Sequence, residues 1–273
     1  MKLVILMSLL IGLFPGLNSW AADISANEWD KRITLRGGAI AYDMSGKFSS
    51  TKEGRPNVKL DLDDLDLEDD EVTYFLGANI RMGERWRLHT DYFRYSDDAT
   101  QTANKDFEFD DLIVNVGARV ESSLSFDLYI VNLSYDLYKS ERANFGVGIG
   151  AHIVDFSLDV SSTITVDDGS TGFLREEENL TAPLPNLFAG GAYAFKNNLI
   201  FRYTGGWMSM SYGDYDGDLV YAQGVLEYWP HKNIGLGAGY AYRSVDVTYK
   251  TNSKKETYDI DIPGPILYLT VGF

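Results

Sequence analysis

Apolar and polar residues alternate one for one along most of this chain, in runs of ten or so separated by turn residues. A period of two marks a strand with one greasy and one wet face, where a helix would show a period of 3.6. The alternation predicts ten strands, over 32–45, 71–82, 86–96, 123–138, 143–158, 184–195, 199–212, 219–229, 234–249 and 264–273. The connections alternate too. Those at Gly83-Glu84-Arg85, Lys139 to Arg142, Lys196 to Asn198 and Pro230 to Asn233 are short, whereas 46–70, 97–122, 159–183, 213–218 and 250–263 are mostly long and polar. Short apolar pieces around Phe109 and Ile113 read as an extra hairpin or as further members of the sheet, so counts of eight or twelve stay open beside ten. The pattern predicts one all-β domain, an antiparallel up-and-down sheet closed on itself.

The register also sorts residues by face. In 143–158, Phe145, Val147, Ile149, Ala151 and Ile153 oppose Gly146, Gly148, Gly150 and His152. In 234–249, Ile234, Leu236, Ala238, Tyr240 and Tyr242 oppose Gly235, Gly237, Gly239, Ala241 and Arg243. A row of glycines suits a narrow interior that long side chains from other strands must cross. Carried through the other strands, the same register sends Arg36, Arg81, Arg87, Asp136, Arg202 and Glu227 inward, all close to the short-turn end. Unpaired burial of so many charges would cost several kcal/mol, so pairing into a plug is expected. The other reading is a selectivity ring in a thin pore, where excess arginine would favour anions.

Composition adds the compartment. The 273 residues include 18 Tyr, 14 Phe, 5 Trp and 26 Gly, and no cysteine, which excludes disulfide staples and thiolate metal sites. Lys2, an apolar run from Leu3 to Phe14 and the small residues of Ser19-Trp20-Ala21 predict a secretory signal peptide over 1–21, leaving 22–273 as the folded domain. No stretch of eighteen apolar residues offers a transmembrane helix. Net charge is −16, which argues against a nucleic-acid partner. Eight carboxylates crowd into eleven residues, Asp61, Asp63, Asp64, Asp66, Glu68, Asp69, Asp70 and Glu71, and Asp167, Asp168 and Glu176 to Glu178 add more. Such loops attract calcium or magnesium loosely, although no segment fits a calcium-loop motif, and no other cofactor is expected.

The last strand ends Tyr268-Leu269-Thr270-Val271-Gly272-Phe273. An exported chain of alternating strands that stops on an aromatic residue resembles the small outer-membrane β-barrel proteins of Gram-negative bacteria, the broad OmpA-like and OmpW-like group. The resemblance implies a transmembrane barrel with lipid on its outside, short turns and both termini in the periplasm, and Tyr268, Leu269, Val271 and Phe273 as the signal read by the barrel-assembly machinery. Outer-membrane lipids and lipopolysaccharide become the expected partners. Trp29, Trp86, Trp207, Tyr212, Tyr228, Trp229 and Tyr249 would then form two aromatic girdles at the headgroup levels.

Some barrels of this size are enzymes. Omptin proteases set an acidic pair against a His–Asp pair at the extracellular rim; Asp97-Asp98 offers the former, but His89, His152 and His231 all fall elsewhere. Lipid deacylases place a serine after the histidine with one residue between them, which none of the three shows. His89 and Asp91 share a face and read as an interior hydrogen-bonded pair. The expected function is therefore non-enzymatic, with acidic extracellular loops serving envelope integrity or surface contacts. A narrow channel is the alternative, and a rim protease or lipid hydrolase comes third.

Overall fold

A computed structural model describes residues 29–41, 45–52, 58–61, 72–102, 107–109, 112–114, 116–165, 171–195, 198–252 and 254–273. The signal peptide over 1–21 lies outside the described residues. The strands are β1 (Ile33–Ala41), β2 (Ser45–Lys52), β3 (Val58–Asp61), β4 (Val72–Met82), β5 (Trp86–Thr102), β6 (Phe107–Phe109), β7 (Leu112–Val114), β8 (Arg119–Lys139), β9 (Ala143–Thr165), β10 (Thr171–Ala194), β11 (Leu199–Tyr212), β12 (Tyr215–His231), β13 (Ile234–Lys250), β14 (Lys254–Asp261) and β15 (Gly264–Gly272).

Ten of them close a ring in the order β1-β4-β5-β8-β9-β10-β11-β12-β13-β15, with β15 returning antiparallel to β1. The seam is held at the last residue, whose carbonyl accepts from the Arg32 and Ile33 amides at 2.9 and 3.1 Å. Ten strands settle the count, and the segment around Phe109 and Ile113 forms a separate two-stranded hairpin, β6-β7. Closure leaves the membrane-level strands no unpaired edge, which is what lets such a sheet sit in hydrocarbon.

Several strands run further than the alternation predicts. The stretch 159–183 is largely not a loop: β9 and β10 stay paired from Tyr193↔Ala143 to Thr171↔Thr165, so Glu176 to Glu178 lie in β10. Likewise β5 and β8 pair up to Thr102↔Arg119, and β14 and β2 continue the β15–β1 pairing upward at Asp261↔Ser45. The result is a tall barrel whose far end stands well above its lower half.

Within that height the two faces exchange character. On β8, the outward residues Val131, Leu133 and Leu137 give way above Tyr129 to Asp127, Ser125, Ser123 and Glu121. The inward residues change in the opposite sense, from Asn132, Ser134 and Asp136 below to Val120, Leu124, Phe126, Leu128 and Ile130 above. The same exchange occurs after Tyr92 on β5, after Ile153 on β9 and after Tyr242 on β13, where the inward residues become Phe93, Val154 and, past Arg243, Val245. Below the exchange the exterior is the apolar face, as lipid demands. Above it the barrel is built like a water-soluble one, with a packed core that joins Phe93, Tyr95, Phe126, Leu219, Val247, Tyr258 and Ile260. The lipid-facing exterior that the resemblance implies is therefore confined to the lower half. From Tyr129 to Leu137 β8 supplies nine residues, the number a tilted strand needs to cross the hydrocarbon.

Aromatic rings mark both limits. Trp86 and Tyr135 sit edge to face at 5.1 Å near the turn end, while Tyr92 and Tyr129 stack at 4.9 Å at the upper limit. Two upper tyrosines donate to the first carboxylates above them, Tyr92 to Asp127 at 2.7 Å and Tyr242 to Asp261 at 3.0 Å. Trp207 and Tyr228 face outward as expected. Trp29 and Trp229 do not: both are buried inside the turn-end mouth, together with Ala192, Ala194 and Ile200.

Candidate functional site: the closed lumen

The lower lumen is crossed by ion pairs in three groups. Arg36 (β1) donates from Nη2 to Asp91 (β5) at 2.7 Å. Arg87 (β5) grips two acids at once, with Nε 2.8 Å from Asp136 Oδ2 and its two terminal nitrogens 2.6 and 3.1 Å from the Asp30 oxygens. Lys139 and Arg81 approach the same Asp30 carboxylate at 3.0 and 3.5 Å, and Asn144 donates to Asp136 at 3.0 Å. On the other wall, fully buried Glu227 (β12) accepts from Tyr268 at 2.7 Å and from Trp229 Nε1 at 2.9 Å. Arg202 Nε lies 2.9 Å from Glu227, close enough for an ion pair but not aligned for a hydrogen bond.

All six expected lumen charges thus point inward and find opposite charges, though not only among themselves. Asp30 and Asp91 complete the network. Asp91 was visible in the register beside His89. Asp30 precedes the first strand, where no alternation assigns a face, and so gave no signal. Burial alone would raise its carboxyl; the hydrogen bonds and charges of Arg87 and Lys139 outweigh that and hold it below the ordinary aspartate value. Trp29 anchors the same segment by donating to the Glu141 carbonyl at 2.7 Å. Residues 29–32, ahead of β1, therefore fold into the mouth.

Glycine rows make the crossing side chains fit. A Cβ on Gly237 would lie 2.4 Å from the Tyr268 ring, and one on Gly148 would lie 2.2 Å from the Leu133 carbonyl and 2.5 Å from the Phe188 ring. Each ring lies flat over the glycine directly opposite it on the neighbouring strand. Between the ion pairs lies a cavity of about 110 Å3, with another of about 30 Å3 at the Asp30 mouth. Above them lies the apolar core. At the boundary Arg243 sits over the Phe93 ring at 4.6 Å, and His152, 1% exposed, packs against Tyr221 at 4.8 Å.

His89 does not pair with Asp91. Its Nδ1 lies 2.5 Å from Asn79 Oδ1 and its Nε2 3.3 Å from Ser134 Oγ. That order of amide, imidazole and hydroxyl is the connectivity of a hydrolytic triad. The rest of such a site is missing from its surroundings: Ser134 is buried inside the lumen, and its strand neighbours commit their backbone amides to the ladders with β5 and β9. His231 closes β12 at the short-turn end, and Asp98 faces outward on the far end with no histidine near it. The side chain of Asp97 is outside the described residues.

Of the acidic run, only Asp61 falls within the described residues, at the end of β3; Asp63, Asp64, Asp66, Glu68, Asp69, Asp70 and Glu71, like Asp167 and Asp168, lie outside them. Among the described residues no group of three or more metal-ligating side chains gathers. The four residues expected as an assembly signal divide by face: Leu269, Val271 and Phe273 are exposed outward, whereas Tyr268 is buried against Glu227.

Among solved structures the chain is similar to the outer-membrane protease OmpT of Escherichia coli, at TM-score 0.58 and 11% identity over 88% of this chain and 97% of that one. It also matches the Pseudomonas putida toluene transporter TodX, at TM-score 0.38 and 9% identity over 95% of each chain. A third match is the Neisserial surface protein A, at TM-score 0.28 and 13% identity over 88% of this chain and 97% of that one. No protein-family model and no curated protein matches it. The chain has the fold of an outer-membrane β-barrel. At 11% identity the likeness to OmpT carries the architecture and nothing about peptide cleavage.

Proposed function

We propose that this chain is a non-conducting, non-enzymatic protein of the bacterial outer membrane that works at the cell surface through the part of its barrel standing above the bilayer, in envelope integrity or contacts with surface ligands. One observation carries the reading: the lumen is closed twice, by paired charges in the lower half and by a packed apolar core in the upper half. A channel needs one continuous wet path, and among the described residues cavities of about 110 and 30 Å3 beneath an apolar core argue against one. The turn end faces the periplasm in this reading, with both termini there after removal of residues 1–21. Leu269, Val271 and Phe273, on the lipid face, serve assembly. The water-exposed upper surface carries Asp98, Asp127, Asp155, Asp218 and Asp246, which favours cations, loosely held calcium or magnesium included, as counter-ions.

Planar-bilayer recording on the refolded protein tests the closed lumen. Silence at 1 M KCl across the voltage range is expected of the wild type, and steady unit conductance would overturn the reading.

A further inference from the structure

A groove of about 630 Å3 lies on the outside of the barrel, where β1, β4 and β5 run side by side. Its floor is Gly37, an outward position of β1 with no side chain to fill it. Its walls are Tyr74 and Leu76, 76% and 67% exposed, and Tyr92. Arg94 and Ser96 stand at its upper end. Tyr92 is the residue at which β5 passes from lipid to water, so the groove straddles the membrane boundary, greasy below and cationic above. Such a profile fits an amphiphile whose acyl chain lies along the barrel and whose anionic headgroup sits at the surface.

The charge pattern narrows the ligand. The outward residues around the barrel just above this boundary include Asp127, Asp155, Asp218 and Asp261, all repelling an anion. Arg94 and Lys47 are the cations there, Lys47 level with Asp218 on β2, and no ion pair engages Arg94 among the described residues. Asp127, its cross-strand neighbour, is occupied by the Tyr92 hydroxyl at 2.7 Å. A membrane phosphate that approaches here has one guanidinium to bind and carboxylates on the adjoining strands.

We propose that this groove binds one molecule of lipopolysaccharide from the outer leaflet, with an acyl chain laid over Gly37 between Tyr74 and Leu76 and a lipid A phosphate against Arg94. The site rests on the reading that the tall end of the barrel faces outward, since that end meets the leaflet in which lipopolysaccharide resides. Were it reversed, an anionic glycerophospholipid would be the neighbour instead.

The test uses the full chain refolded in dodecylmaltoside micelles, titrated with purified lipopolysaccharide and read by native mass spectrometry. Two variants attack the two halves of the site. Arg94→Gln removes the phosphate contact. Gly37→Leu fills the floor, and the backbone accepts it, because a Cβ there would meet nothing closer than Leu76 at 3.4 Å. One retained lipopolysaccharide is expected on the wild type, with affinity about tenfold lower in each variant, the worth of one charge-assisted contact or one lost acyl groove. Palmitoyl-oleoyl-phosphatidylglycerol at equal concentration should fail to displace it. Variants that bind as the wild type does, or displacement by phosphatidylglycerol, overturn the site. Flotation with vesicles separates the two readings: a wild type that does not float ends the membrane assignment and the groove together, whereas one that floats while the variants bind normally ends the groove alone.

Discussion

Glu227 holds three partners in the lumen, and its removal tests how the plug is held. It is fully buried, accepts from Tyr268 and Trp229, and faces Arg202 at 2.9 Å. Glu227→Leu keeps the volume roughly constant but strands a guanidinium, a hydroxyl and an indole N–H. A neutral donor left without a partner costs about 1–3 kcal/mol, and breaking a buried ion pair on one side costs about 3–5 kcal/mol. The terms overlap, and Arg202 retains 22% side-chain exposure through which water softens the loss. A net destabilisation of about 4 kcal/mol is expected. Arg202→Met on the Glu227→Leu background removes the stranded charge and should recover about 2 kcal/mol, so the double-mutant cycle shows clear coupling. Urea unfolding in a reversible detergent or lipid system, followed by tryptophan emission, reads both quantities, with Trp229 itself beside the change. A cost under about 1 kcal/mol, or strictly additive single mutants, would refute the claim that paired charges hold the lower lumen.

Three further outcomes follow from the same geometry. Asp246 sits between Asp218 and Asp259 on adjoining strands, and its carboxyl is raised first by burial and then by those two charges. A raised folded-state value means stability present below the ordinary aspartate range and lost as pH climbs through the folded value; Asp246→Asn should therefore stabilise the barrel by about 0.5 kcal/mol at pH 7 and leave it unchanged near pH 3, as melting in detergent would show. Gly148→Ala drives a methyl into the Leu133 carbonyl and the Phe188 ring and should cost about 2 kcal/mol, whereas Gly37→Ala, whose methyl meets only Leu76 at 3.4 Å and the Phe75 carbonyl at 4.0 Å, should cost little; equal unfolding midpoints would contradict the glycine–ring fit. Fluorophosphonate probes should leave Ser134 unlabelled, and labelling that disappears in His89→Ala would end the non-enzymatic reading.

The membrane-level part of this fold was legible because the short turns and the period of two are local signals. The lumen charges were legible for the same reason, since a single register carries Arg36, Arg87, Asp136 and Glu227 to one face. The height of the barrel was harder to see. On β8 the apolar residues keep even parity through Leu124, Phe126, Leu128 and Ile130 and then switch to odd at Val131, Leu133 and Leu137. That switch is the trace of a strand crossing from water into lipid, and it blurs the alternation where the two rows meet. β13 repeats it between Tyr242 and Val245. Trp229 was misassigned although the register that turned Glu227 inward turns it inward too; its position near a strand end suggested a girdle, and the parity argued otherwise. Asp30 left no trace, because a residue outside any strand acquires its partners only when the chain folds back into the barrel mouth.

The exchange of faces at the level of Tyr92, Tyr129 and Tyr242 underlies every other conclusion, and the absence of native cysteine makes it directly measurable. Single cysteines at Ser123, Ser125, Asp127, Val131, Leu133 and Leu137, nitroxide-labelled in reconstituted vesicles, would report collisions with oxygen and with a water-soluble nickel chelate. The account predicts that the chelate reaches the first three positions and oxygen the last three, with the crossover at Tyr129. Uniform chelate access along all six positions, or uniform oxygen access, would contradict it.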